Sequence, residues 1–280
     1  MKTFVTFLMA VVVHSSIGQT VSVMSYNIRL DTKADGVNEW SNRSKKVASL
    51  IQKYDPDLVG VQEALHNQMI DLQKELPAYA FVGVGRDDGK EKGEYSAIFY
   101  KREKFEVVKQ NTVWLSETPD VPGSKSWDAA ITRIFTFAIF KHKDSGKSFV
   151  LLNTHFDHIG QQARLKSAIF IKGFAQGLNN NGKELPIIVS GDFNSQPTEE
   201  SYQTMIREEI GVRLFDSRPT HSKAGTYCGF EMNAMECKTI DYIFHSSEWK
   251  AESYRVIQDN NGKYYPSDHL PVFASFSLAK

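Results

Sequence analysis

Short apolar runs recur along this 280-residue chain, and each gives way to a polar residue at one end. Asn27 follows VSVMSY, Glu63 follows LVGVQ, and His155 and Asp157 follow FVLLNT. Asp192 and Asn194 follow PIIVSG, Asp241 opens DYIF, and Asp268 and His269 precede LPVF. Short continuous apolar runs read as strands buried on both faces, and such strands belong in sheets covered by helices. A scaffold whose strand ends deliver carboxylates, amides and imidazoles can build a rigid polar site.

The remaining pattern agrees with an α/β protein. Strands are expected over 21–28, 58–61, 79–84, 96–100, 105–109 and 131–140, then over 149–153, 186–189, 240–244, 253–258 and 271–277. A helix over 43–54 places Val47, Leu50, Ile51 and Tyr54 on one apolar face, and Asp55-Pro56 stops it. A second helix over 161–178 turns Leu165, Ile169 and Phe174 towards the core. A third begins after Pro197, with Thr198 as its cap and Glu199 and Glu200 at its positive end. No repeat, low-complexity tract or linker divides residues 19–280, which read as one domain with sizeable mixed sheets.

Residues 1–18 differ in kind. Lys2 precedes the apolar run Phe4–Val13, which is too short to span a bilayer, and Ser16-Ile17-Gly18 supplies small residues after it. This is the pattern of a cleaved secretory signal, so a secreted or periplasmic protein is expected. Without it the chain carries 32 basic and 33 acidic residues. That balance lacks the bulk positive field of a duplex-binding protein, although a local basic groove is compatible with it. Cys228 and Cys237 are the two cysteines. In an oxidising compartment they are expected to pair, with two free thiols as the alternative.

Singly, each strand-end residue has an ordinary reading as a turn residue or a satisfied histidine. Six strand ends suited to one chemistry weaken that reading together. The segments SYNIR (25–29), VGVQE (59–63), LLNTHFDH (151–158), IVSGDFNSQP (188–197), TIDYIF (239–244) and SDHLPV (267–272) resemble, in order, those of the endonuclease/exonuclease/phosphatase superfamily. The resemblance implies a four-layer sandwich of two mixed β-sheets flanked by helices. It also implies cleavage of a P–O bond with a divalent metal, magnesium in the first place and manganese as the alternative.

On that resemblance Asn27, Glu63 and Asp268 are the metal ligands. Asp192 orients or deprotonates the attacking water, and Asn194 holds a phosphate oxygen. His269 touches the phosphate with Asp241 as its orienting partner, while His155 hydrogen-bonds the phosphate or protonates the leaving group. The division of acid and base among Asp192, His155 and His269 stays open. Arg133, Trp127, Glu94 and Tyr95 are candidates for substrate binding. For Trp127 a packed loop, and for Glu94 and Tyr95 a turn, are the alternatives. Trp40 and Arg43 in NEWSNR have a structural reading at least as ready as a functional one.

The stretch TVWLSETPDVPGSKSWDAAITR (112–133) resembles an exported bacterial branch of the same superfamily. With near-zero net charge, a small or lipid-linked phosphate ester or a sugar phosphate is favoured as substrate over genomic DNA. A secreted nuclease acting on DNA or RNA is the main alternative. A non-catalytic binding protein is the second, and the presence of Glu63, His155, Asp192, Asn194, Asp241 and His269 together argues against it.

Overall fold

The first strand shows how the layers arise. Along β1 (Thr20–Asn27), Val21 and Val23 face one side and Met24 and Tyr26 a different apolar cluster, and all four are fully buried. A strand apolar on both faces must lie between two layers. The computed structural model describes residues 20–179, 185–232, 236–260 and 262–279. The expected signal at 1–18 lies outside the described residues.

Among the described residues, twelve strands form two six-stranded sheets. The first contains β1, β2 (Leu58–Ala64), β3 (Tyr79–Val82), β4 (Tyr95–Lys101), β11 (Trp249–Val256) and β12 (Val272–Leu278), in the order β11-β12-β1-β2-β4-β3. The second contains β5 (Phe105–Trp114), β6 (Ile134–His142), β7 (Ser148–His155), β8 (Ile187–Asp192), β9 (Phe215–Asp216) and β10 (Asp241–His245), in the order β5-β6-β7-β8-β10-β9. Each has one parallel pair, β1 with β2 and β7 with β8, among antiparallel ones, so both sheets are mixed.

Helices α1 (Trp40–Tyr54) and α2 (His66–Glu75) cover the outer face of the first sheet through Val47, Ile51, Met69 and Leu72. Helices α3 (Gln161–Asn179) and α4 (Glu200–Ile206) cover the second through Ala168, Ile171, Ala175 and Met205. Between the sheets Val21, Val23, Leu58 and Ile98 meet Phe140, Leu151, Ile188 and Ile243. The four layers expected from the resemblance are present. Among the described residues no helix is long and apolar enough to cross a membrane.

Several local expectations are corrected. The sixth strand begins at Ile134 rather than 131, because the N–H groups of Ala130 and Ile131 bond to the Asp157 carboxylate instead of a ladder. On α3, Ile169 is exposed and Leu165 only partly buried, while Ala163, Ala168 and Ala175 carry much of the inward stripe. Short alanines gave that stripe too little hydrophobic signal. Thr198 does not cap α4, whose cap position is Glu199, its carboxylate accepting from the Gln196 N–H. α2 was not expected at all, since Met69 and Leu72 are its only buried apolar residues.

A polar network interrupts the apolar interface between the sheets. The Asn153 amide donates to the carbonyls of Val61 and Ala97, both at 2.9 Å, and its oxygen accepts from Gln62 Nε2 at 2.7 Å and Ser190 Oγ at 3.2 Å. Gly60 makes room for it, since a Cβ there would lie 2.4 Å from Asn153 Oδ1 and 2.7 Å from Ser190 Oγ.

Asn153→Leu strands two carbonyls and two donors in a buried interface and should lower the unfolding free energy by about 3 kcal/mol or more. Gly60→Ala should destabilise through the steric conflict. Urea titration of both variants checks this, and losses below about 1 kcal/mol for both would show the network to be dispensable.

Candidate active site

The residues two positions beyond that network lie on the same strands and the same face. Asn27 follows Ser25 on β1, whose hydroxyl accepts from Gln62 Nε2 at 3.2 Å, His155 follows Asn153 on β7, and Asp192 follows Ser190 on β8. Because side chains alternate along a strand, a step of two carries the polar floor up into the cleft. Register completes the set, since His155 and Asp241 are the Cα partners of Asp192 on its two sides.

Glu63 arrives differently. The β2–β4 register shifts between Val61 and Ala64, and Glu63 takes a left-handed φ of 62°. A bulge of this kind re-aims a side chain that strict alternation would turn away. Arg29 (φ 57°) and Asn194 (φ 46°) are likewise left-handed, a backbone that favours glycine and that clusters at functional sites.

These side chains converge on a cavity of about 520 Å³, lined among others by Arg29, Glu63, Glu94, Arg133, His155, Asp192, Asn194, Asp268 and His269. The Asn27 amide nitrogen donates to Glu63 Oε1 at 3.0 Å and Asp192 Oδ2 at 2.9 Å, so two carboxylates meet on one neutral group. His269 Nδ1 bonds Asp241 Oδ2 at 2.9 Å, and its Nε2 lies 3.7 Å from Asp192. His155 Nε2 is 3.4 Å from Asp192 and 3.0 Å from the Asn194 amide, whose backbone N–H donates to Asp192 Oδ1 at 2.9 Å.

Burial first, and then Asp241, push the Asp192 carboxyl up to about 7. Burial works to lower His269, but Asp241 and Asp192 outweigh it and hold the imidazole well above its ordinary value, as a cation at neutral pH. Burial, reinforced by Arg133 and Arg86, holds His155 well below its ordinary value and therefore neutral. Burial would raise Glu63, yet His269, the Asn27 amide and the Leu30 N–H take it lower. The two histidines thus differ in charge because only one has a carboxylate in direct hydrogen bond.

Glu63, His155 and Asp192 form one grouping of possible metal ligands, and Asp192, Asp241 and His269 a second. Asn27 and Asp268, expected to join Glu63 as ligands, do reach the cleft floor, but Asp268 belongs to neither grouping and lies 3.9 Å from Arg29. Asp192 is therefore nearer to Glu63's chemistry than the sequence suggested. Two carboxylates at the cleft floor, Asp192 buried and Glu63 partly buried, supply the oxygen donors that a hard divalent cation takes.

The substrate-binding candidates separate. Arg133 lines the cavity, with its Nε and Nη1 buried and lacking a hydrogen-bond partner, and Nη2 3.2 Å from His158 Nδ1. Glu94 also lines it, in a bidentate pair with Arg86 at 2.7 Å. Tyr95 faces away into the core, where its hydroxyl donates to the Lys90 carbonyl. Trp127, at a left-handed φ of 57°, is half-buried outside the cavity lining. Arg43 is structural, donating to the carbonyls of Ile28, Arg29 and Leu30 under the Trp40 ring.

Sequence reasoning missed Arg29, which pairs with Asp35 and lies 3.8 Å from Glu63, and also His158, Arg164, Tyr227 and Lys238 in the cavity wall. Arg29 stood in the SYNIR segment and was there to be found. His158 likewise closes the LLNTHFDH segment just past β7, whereas Arg164 on α3, Tyr227 and Lys238 follow no strand and gave no signal.

A model of the Endonuclease/Exonuclease/phosphatase family matches residues 24–269. A solved structure of a protein of that family from Bacteroides thetaiotaomicron is 38% identical, covering 93% of this chain and 96% of that chain, with a TM-score of 0.88. A mannosyl-6-phosphatase of Bacteroides thetaiotaomicron is 39% identical, covering 92% of this chain and all of that chain (100%), with a TM-score of 0.87. Nocturnin of Mus musculus is 24% identical over 94% of this chain and 67% of its own length.

Asp241→Asn removes the anion behind His269, so the imidazole pKa should fall, and kcat should drop by about 10²-fold or more. NMR titration of the imidazole in metal-free protein, beside steady-state kinetics, checks both. An unmoved His269 titration would detach Asp241 from it.

Proposed function

The chain belongs to the Endonuclease/Exonuclease/phosphatase family, and on that premise we propose that it is a magnesium-dependent phosphomonoesterase acting on a sugar phosphate outside the cytoplasm. The family's members are hydrolases of phosphate esters and depend on a divalent metal. The observation that carries the proposal is one cavity in which a carboxyl near neutrality, Asp192, stands beside a cationic imidazole, His269, and the partly buried carboxylate of Glu63.

Glu63 would hold the cation with Asn27 beside it, and Asp268 would add a carboxylate from outside the grouping that joins Glu63 to Asp192 and His155; so few protein ligands suit magnesium with its retained waters, and manganese is the alternative. Bound there, the ion would neutralise charge at the phosphoryl oxygens. Asp192 accepts the proton of the attacking water, a task for which a pKa near the working pH is suited. His269, fixed by Asp241, donates to a phosphate oxygen, and Asn194 holds another. Neutral His155, at the β7 end, hydrogen-bonds the phosphate or the leaving oxygen.

The substrate class rests on three supports. The likeness to a mannosyl-6-phosphatase runs over the full length of that chain. The cavity has the size of a small-molecule site. The near-zero net charge gives no general pull towards a nucleic-acid backbone. Location outside the cytoplasm rests on the N-terminal apolar run and on the Cys228–Cys237 disulfide, a bond at home in oxidising compartments.

The protein with magnesium should hydrolyse mannose 6-phosphate, and a chelator should abolish the activity. Asp192→Ala and His269→Ala should each lower kcat by about 10²-fold or more without unfolding the chain. A panel with DNA, RNA, sphingomyelin and inositol phosphates decides the class: a higher kcat/KM on nucleic acid would replace the sugar-phosphate reading with a nuclease. Mass spectrometry of the exported fraction should find a chain starting near residue 19, and an internal protein retaining residues 1–18 would sink the location.

A further inference from the structure

The hairpin closing one side of the catalytic cavity is pinned more firmly than a loop needs to be. Tyr227 and Lys238 oppose each other across it and exchange both N–H···O bonds, each of 2.9 Å. The adjoining pair, Cys228 and Cys237, is joined by the disulfide, with Cα atoms 4.4 Å apart, the spacing of a non-hydrogen-bonded pair. Neighbouring pairs point to opposite faces. Tyr227 and Lys238 therefore share the face that lines the cavity, and the disulfide staples the hairpin from behind.

The hairpin is also tied to the floor. Tyr227 forms a β-bridge with His269, the Cys228 N–H donates to the Asp268 carbonyl at 3.1 Å, and Thr226 Oγ1 accepts from the Asp241 N–H at 3.0 Å. The Tyr227 ring lies 4.9 Å from the His269 imidazole, yet the residue remains 37% exposed. Tyr227 is thus an aromatic with a firmly fixed backbone, part of it open, in the wall of a largely charged cavity.

We propose that Tyr227 is a specificity-determining residue that stacks on the C–H face of the substrate's sugar ring, with Lys238 donating to a hydroxyl at its rim. The disulfide sets the platform's position. A sugar suits the pair because its ring presents an apolar face edged by acceptors, matching an aromatic beside an ammonium. This deepens the sugar-phosphate reading and rests on it. The rival is that Tyr227 only buttresses His269, in which event its loss slows every ester alike.

The test is the ratio of kcat/KM for mannose 6-phosphate to that for glycerol 3-phosphate, which has hydroxyls but no ring, measured on the full protein with magnesium. Tyr227→Ala should lower the ratio about tenfold, while Tyr227→Phe keeps it within about threefold. The double variant Cys228→Ser/Cys237→Ser, and the wild type after reduction, should lower it part of the way, with thermal melts confirming the fold. An unchanged ratio in Tyr227→Ala, including an equal loss on both esters, overturns the platform. A lowered ratio there with none in the reduced protein overturns the role of the disulfide. A wild type that hydrolyses neither monoester overturns the phosphomonoesterase reading, and this inference with it.

Discussion

One side-chain amide joins the two sheets at the point from which the site is built. Asn153, on β7, reaches across to β2 and β4 and also meets Ser190 beside it, so all its polar capacity is used in a buried interface. Buried polar groups are stable only when matched, and a matched network specifies a single arrangement. A one-residue slip of β7 would place Asn153 on the outer face and strand its partners. It would also turn His155 away from Asp192. Registering the core and assembling the chemistry are therefore the same event in this fold.

The electrostatics follow from that placement. Asp192 stands opposite His155 and Asp241 by strand register and takes a hydrogen bond from Asn27 of the other sheet. It belongs to both groupings of possible ligands, and burial among acids leaves its carboxyl at about 7. His269 carries the compensating positive charge, held by Asp241. Burial first, and then the guanidinium groups of Arg133 and Arg86, keep the imidazole of His155 neutral. Two histidines of one composition are thereby given different protonation states by their neighbours.

Much of this is legible in the sequence alone. The apolar runs marked strands, and their polar ends marked the site, because a fully buried strand has few reasons to end in Asp, His or Asn. What could not be read has physical causes. The aim of Glu63 depends on a bulge, which leaves no periodicity behind. The inward stripe of α3 is built partly of alanine. Tyr227 and Lys238 enter the cavity by cross-strand pairing within a hairpin, a relation that sequence distance conceals. Tyr95 was misjudged because its neighbour Glu94 does face the cleft, and alternation sends the next side chain the opposite way.

The left-handed backbones of Arg29, Glu63 and Asn194 have a consequence for how such a protein can change. Each side chain is held in a conformation that glycine would adopt with less strain. Stability and chemistry thus pull in opposite directions at three positions of one cleft. A lineage released from its reaction would be free to relax these positions first. Their composition serves as a local record of whether the scaffold is still working as an enzyme or has become only a shape.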